Sequence, residues 1–360
     1  MRGIRLLLSG CGNPICLRAV VFLVFGGCFF SRMVTAAESS GPAPLPGSNE
    51  AAFRLFAERA VNGDPVAENN LGALYLKGKG TARNFDLARK WFEQAAKQGF
   101  PVAKQNLGMI YLRGYGVVED PVVAARWMEA AAADGEREAQ FFTALFYYRG
   151  NGVTQDYQRA RQWFGRAADQ GLVSAIYNLA AMQLAGKGGP RDETRAMTAL
   201  TQIRQGSDDA ALLMGQVYLE HGDEAEAAVK ALTLFKPLAE AGNPTAQCQL
   251  GLMYIAGRGV PNDYEEGRFW LQQASRQGSS LAQLNLGNVY TRGLGVPRDL
   301  VEAAAWFSLS AINGELVANQ NLAKVHTKMS AVEITRAEAR ATALREKYPQ
   351  AMLMVRPRSP

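Results

Sequence analysis

Residues 103–127 read AKQNLGMIYLRGYGVVEDPVVAARW. Ala103, Leu107 and Tyr111 recur at i, i+4 and i+8, one face of an α-helix. Ala124, Trp127, Met128 and Ala131 form a second apolar stripe of the same kind. Gly114-x-Gly116 separates the two, a pair that suits a turn with positive φ. Asp120 stands at the start of the second stripe, where a carboxylate can accept orphan N–H groups of a helix start. The stretch predicts two helices, at about 101–113 and 120–134, joined by a glycine loop. Gly108 and Ala124 are small where the two helix backbones should approach closely. Gly135 suits the left-handed residue that follows a helix, and Pro101 suits a first turn.

The same unit recurs along the chain. Trp91, Trp127 and Trp163 are 36 residues apart, as are Trp270 and Trp306. Ala67, Ala103, Ala139, Ala175, Ala210, Ala246 and Ala282 open successive units, with one interval of 35. Asn84, Asp120, Asp156, Asp192, Asp263 and Asp299 hold the capping phase. A fixed period of this size marks a stacked array. An N-terminal helix at about 50–62 places Phe56 at the phase of Phe92 and should cap the array. At the other end Ala318, Leu322 and Ala323 begin an eighth first helix. Ser330-Ala331-Val332-Glu333 then reads as a capping box for a last helix reaching about Tyr348.

The pattern A-x-x-x-L-G-x-x-Y-x-x-G-x-G-V-x-x-D-x-x-x-A-x-x-W, from Ala103 to Trp127, resembles the Sel1-like repeat, a relative of the tetratricopeptide repeat. The resemblance covers about 67–317. It implies an all-α chain, an α/α superhelical solenoid of about seven 36-residue helix-turn-helix repeats with capping helices. The expected division is a signal peptide (1–37), a linker (38–49), a capping helix (50–66), seven repeats (67–317), capping helices (318–348) and a tail (349–360). Copies four and five depart from the pattern. Ala199 and Leu234 replace Trp, Gln183 replaces Tyr, and Glu220-His221-Gly222-Asp223-Glu224 replaces the glycine loop. A register change or kink is expected there.

The N-terminus has a different character. Arg2, Arg5 and Arg18 precede an apolar run, Ala19 to Phe30, and Thr35-Ala36-Ala37 supplies small residues. This reads as a secretory signal cleaved after Ala36 or Ala37, too short to span a bilayer well. An uncleaved anchor and lipidation at Cys11 or Cys28 stay open. The whole chain carries 39 Lys and Arg against 33 Asp and Glu. Four of the Arg and none of the acids lie in the first 37 residues, so the processed chain has net charge +2. Composition then gives no support for nucleic-acid binding. The expected location is periplasmic or secreted. Membrane contact is expected only through an uncleaved or lipidated N-terminus.

Little in the chain points to chemistry. Only Cys248 follows the targeting segment, and it reads as a small core residue. A cysteine-rich branch of the resembled family, to which β-lactam binding or hydrolysis is attributed, carries a Cys pair in each repeat. This chain has none. His221 lies in the irregular loop and His326 on the C-terminal helix, neither with convergent ligands in sequence. Gly186-Lys187-Gly188-Gly189 follows a helix rather than a strand, so a turn explains it better than phosphate binding. No catalytic, metal or cofactor residue is predicted.

The resemblance implies that first helices line a concave groove. A protein or peptide partner would dock there on Lys77, Gln105, Met109, Arg113, Phe141, Leu145, Tyr148, Arg149 and Tyr177, where aromatics and Arg would anchor it. Phe141 and Tyr148 could instead fill packing between repeats, and the basic column could be a row of solvated helix ends. The expected function is a non-catalytic, exported scaffold, an adaptor or regulator of signalling or envelope processes. A β-lactam- or peptidoglycan-directed hydrolase and a membrane-tethered scaffold are the alternatives.

Overall fold

The computed structural model describes residues 49–220 and 225–349, and all the regular structure among them is helical. The expected signal peptide, linker and most of the tail lie outside the described residues. So do the two lipidation candidates and His221. The chain divides into two compact units, which meet in sequence at Ile203 and Arg204.

The first unit opens with α1 (Asn49–Val61). Four helix pairs follow: α2 (Pro65–Lys77) with α3 (Phe85–Lys97), α4 (Pro101–Arg113) with α5 (Pro121–Ala133), α6 (Arg137–Arg149) with α7 (Tyr157–Asp169), and α8 (Val173–Leu184) with α9 (Glu193–Ile203). The second unit starts with a short 3-10 turn, Arg204–Gly206. Its pairs are α10 (Asp208–Glu220) with α11 (Ala225–Glu240), α12 (Pro244–Ala256) with α13 (Tyr264–Arg276), and α14 (Ser280–Arg292) with α15 (Leu300–Ile312). Then come α16 (Leu316–His326) and α17 (Ala331–Lys347).

Local chemistry sets these boundaries where the residue types predict. The side chains of Asn84, Asp120, Asp156, Asp263 and Asp299 each accept backbone N–H groups at the start of a second helix, and Asp192 accepts from Arg195 N–H. Pro65, Pro101 and Pro244 occupy first helical positions. Ser330 and Glu333 form the expected reciprocal capping box before α17.

The core is a row of local clusters rather than one interior. Trp91 packs with Phe53 and Phe56 of α1 and with Leu71 of α2. Trp127 packs against Ala88, Phe92 and Leu107, which belong to α3 and α4. The tryptophans thus face the preceding repeat. The residue after each tryptophan phase points at its own first helix. Phe92, Phe164, Phe235 and Phe307 are fully buried. A methyl group on Gly108 would lie 2.9 Å from Met128 Cγ and 3.2 Å from Ala124 O, so the predicted close approach is present. Contacts of this kind link nearest neighbours only, the property of a quasi-one-dimensional array.

Joints between repeats come from the glycine loops. Both glycines have positive φ, for example 70° at Gly150 and 69° at Gly152. The second glycine also leans on the start of the preceding second helix. A side chain on Gly152 would collide with the Pro121 carbonyl, and one on Gly188 with the Tyr157 carbonyl. The residue between the glycines completes the joint. Tyr115 stacks on Phe85 with centroids 5.4 Å apart. Lys187 Nζ lies 4.5 Å from the Tyr148 ring and 4.9 Å from the Tyr157 ring, and it donates to Tyr148 Oη. Arg258 donates to the Leu219 carbonyl at 2.8 Å.

Substituted positions carry a measurable cost. Thr143 occupies the phase that is Leu in most copies. Its hydroxyl is buried with no hydrogen-bond partner among the described residues. Thr143→Val keeps the shape and removes the unpaired group. Urea unfolding should show a gain of about 1 kcal/mol. A loss would mean that the hydroxyl has a partner.

Candidate functional site

The nine residues expected to meet a partner do not share one environment. Arg113 and Arg149 are exposed, and Lys77 and Met109 are half-buried. Gln105, Phe141, Leu145, Tyr148 and Tyr177 are buried, with exposures of 6%, 3%, 8%, 8% and 2%. The role of docking anchor expected for the three aromatics and Leu145 therefore needs correction, and Gln105 leaves the accessible set as well. Phe141 lies 5.5 Å from Phe164 and 5.7 Å from Phe142 between ring centroids, and Tyr148 lies 5.2 Å from Tyr157. A partner cannot reach these rings without repacking the repeat. The physical reason is that a first helix is enclosed on more than one side. In α6 every residue from Ala139 to Tyr148 is buried. The aromatics stiffen the helix that carries Arg149 rather than meeting a ligand.

What remains accessible has a regular placement. Lys77, Arg113 and Arg149 each end a first helix, immediately before a left-handed glycine. Met109 and Leu112 of α4 lie beside them, partly covered by the cluster centred on α6.

A second regular feature was invisible to the hydrophobic pattern. The side-chain amide of Gln140 donates to Ala132 O at 3.3 Å and its oxygen accepts from Gln170 at 2.9 Å. Gln247 donates to Ala239 O at 3.1 Å and accepts from Gln277 at 2.8 Å. Gln283 donates to Ser275 O at 3.2 Å and accepts from Asn313 at 2.9 Å. Each glutamine joins three helices and gives a second donor to a helix-end carbonyl that already accepts the N–H of Gly135, Gly242 or Gly278. The signal available was a polar residue fixed at one repeat phase, 30 residues before a second polar residue. Ile176 and Ala211 break this ladder in copies four and five.

The start of α6, at the opposite end of the helix from Arg149, carries a strongly perturbed carboxyl. Burial, followed by the hydrogen bond and charge of Glu138, pushes the Glu136 carboxyl up to about 7. Glu138 is held low; burial alone would raise it, but the hydrogen bonds from Glu136 and Arg137 outweigh burial. The folded state therefore binds the Glu136 proton more tightly than the unfolded chain does. Its contribution is fully present below about 4.5 and is lost as pH rises through about 7. Stability of the N-terminal unit should fall by roughly 1 kcal/mol between pH 5 and 8, after allowing for solvent screening. Glu136→Gln should flatten that slope in denaturant titrations. An unchanged slope would assign the pH dependence elsewhere.

No group of three or more His, Cys, Asp or Glu placed to hold a metal occurs among the described residues. No described helix is long and apolar enough to cross a membrane. Cys248 lies buried within α12.

Comparison with known proteins matches this arrangement to a family. The model of the Sel1 repeat matches residues 65–100, 101–136, 137–172, 173–198, 208–243, 244–279 and 280–315. The chain belongs to the Sel1 repeat family. The seven matched Sel1 repeats coincide with the seven helix pairs, and the short fourth match reflects the irregularity after Asp192. A Sel1 repeat protein from Oxalobacter formigenes has a similar structure, with 30% identity and a TM-score of 0.59. That likeness covers 86% of this chain and 93% of the other. A second similar structure is c5321, a protective antigen present in uropathogenic Escherichia coli strains displaying an SLR fold. It has 27% identity and a TM-score of 0.54, covering 91% of this chain and 79% of that one. A search of curated protein sequences gave no match. Sel1 repeats generally mediate protein–protein interaction, and scaffolds built from them are typically non-catalytic.

Proposed function

We propose that this Sel1 repeat protein is an exported, non-catalytic adaptor that carries a protein partner on the first helices of its N-terminal unit. The observation that supports this most is the contrast within those helices. Their aromatic side chains are locked in packing, while Lys77, Met109, Arg113 and Arg149 stay accessible at repeated phases. A rigid helix with a few accessible Arg and apolar groups suits an interaction surface. Export rests on the Arg-flanked apolar run before Thr35-Ala36-Ala37, and the adaptor would act in the periplasm or after secretion.

A photo-crosslinking residue at Met109, introduced in the native host, tests the surface. A discrete protein adduct is expected from Met109 and not from Phe269, an exposed ring on α13. Equal adducts at both positions, or none at Met109, would remove this reading. Mass spectrometry of the cellular protein tests export separately. A start at Ala37 or Glu38 is expected, and an intact or lipidated N-terminus would make the protein a tethered scaffold instead.

A further inference from the structure

We propose that the apolar run Ala351-Met352-Leu353-Met354-Val355, which lies outside the described residues, docks on Ile312, Leu316 and Val317 of its own chain and closes the carboxyl end of the array. A terminal unit has no further neighbour to bury its open side, so such an end needs a cover.

The patch is unusual for its place in the repeat. Ile312 ends α15, and Leu316 and Val317 open α16, so one short turn gathers all three. They are 43%, 77% and 47% exposed, so no described element covers them. Lys97, Asp169, Glu240 and Arg276 hold the phase of Ile312 in other copies, and all four are exposed charges. Aliphatic side chains at such a phase, grouped rather than scattered, mark a surface that something meets.

The run starts close to this patch. Tyr348 follows α17 and lies against the end of α13, with the Arg276 guanidinium 5.3 Å from its ring centroid. The ends of α13 and α15 are joined through one side chain of α14. Asn313 donates to Gln283 Oε1 at 2.9 Å, and Gln283 donates to Ser275 O at 3.2 Å. Ser275 precedes Arg276, and Asn313 follows Ile312. An extended chain advances about 3.3 Å per residue, so Leu353 reaches roughly 16 Å beyond Tyr348, more than a single amide bridge requires. Met352 and Met354 suit a shallow, irregular apolar surface.

Charge favours this occupant over two others. Glu315 sits inside the patch, between Ile312 and Leu316, and its side chain does not cap α16. Arg356 and Arg358 follow the apolar run directly. A second copy using the same patch on both sides would set Glu315 against its own counterpart. An anionic lipid surface would meet the same carboxylate.

The test places a photo-crosslinking residue at Leu316 of the full chain in its native host. Adducts to residues 351–355 are expected at the mass of a single chain. Val332, 70% exposed at the start of α17, is the control and should give none. Amide exchange supplies a second readout. Residues 351–355 should exchange roughly tenfold more slowly in the native chain than in Leu316→Asp with Val317→Asp. Leu353→Asp should cause the same loss of protection from the other side, so a fault in α16 alone cannot mimic the result. Circular dichroism should be unchanged in all variants. Absence of tail adducts at Leu316, equal tail adducts at Val332, adducts of dimer mass or to phospholipid, or unprotected exchange in the native chain would each overturn the proposal.

Discussion

Gly152→Ala is expected to destabilise the N-terminal unit by about 3 kcal/mol, more than any exposed substitution in this chain. Two separate penalties meet at this residue. Its φ is 69°, a left-handed conformation that costs an L side chain roughly 1–2 kcal/mol. An added methyl group would also overlap the carbonyl of Pro121, which is backbone at the start of α5 and cannot rotate away. Relieving that overlap means moving one repeat against the next, and overpacking of this kind typically costs 1–3 kcal/mol. Gly150→Ala is the control. It has nearly the same φ, 70°, but its methyl would meet Gln155 of its own loop, Cβ at 3.1 Å and N at 3.2 Å, and no other repeat. It should cost about 1–2 kcal/mol. Urea unfolding of both variants isolates the joint from the backbone conformation. Equal losses would show that the repeats do not depend on this contact.

Gln283→Leu should have an effect of similar size in the C-terminal unit. Gln283 is fully buried, and it supplies one donor to Ser275 O and one acceptor to Asn313. Leucine fills the space and takes the acceptor from the Asn313 side-chain amide, while Ser275 O keeps the Gly278 N–H at 3.1 Å. One buried amide without its acceptor costs about 1–3 kcal/mol, so a loss of roughly 2 kcal/mol is expected. Adding Asn313→Leu should recover part of it, because the stranded amide goes too. A loss below about 1 kcal/mol for the single variant would mean that the ladder is incidental to stability.

The features most legible in the sequence are those fixed by neighbours in sequence. Asp120 caps the helix it immediately precedes, Gly114 ends the helix before it, and Ser330 and Glu333 cap each other within one turn. The 36-residue recurrence converts that local chemistry into an array, since each copy repeats the same unfinished surface. Depth was less legible. The i, i+4 stripe of Ala139, Thr143 and Tyr147 marks one packed face of α6, while Phe141, Leu145 and Tyr148 lie off that stripe and are buried too. A helix packed on several sides has no solvent face to reveal in its periodicity. Gln140, Gln247 and Gln283 were missed for the opposite reason: a polar residue in a hydrophobic scan reads as surface, although its partners are helix-end carbonyls.

The glycine joints also give the array a direction. In every described joint the later repeat leans back on the earlier one: Gly80 on Asn49, Gly116 on Phe85, Gly152 on Pro121, Gly188 on Tyr157, Gly259 on Ala228 and Gly295 on Tyr264. Asn49 opens α1, so α1 supplies the seat for the first loop. During synthesis each seat emerges before the loop that must rest on it. A chain threading out amino end first can therefore build its array in order, without waiting for sequence still to come. Shortening from the carboxyl end leaves every remaining joint whole, whereas removing α1 strands the loop at Gly80.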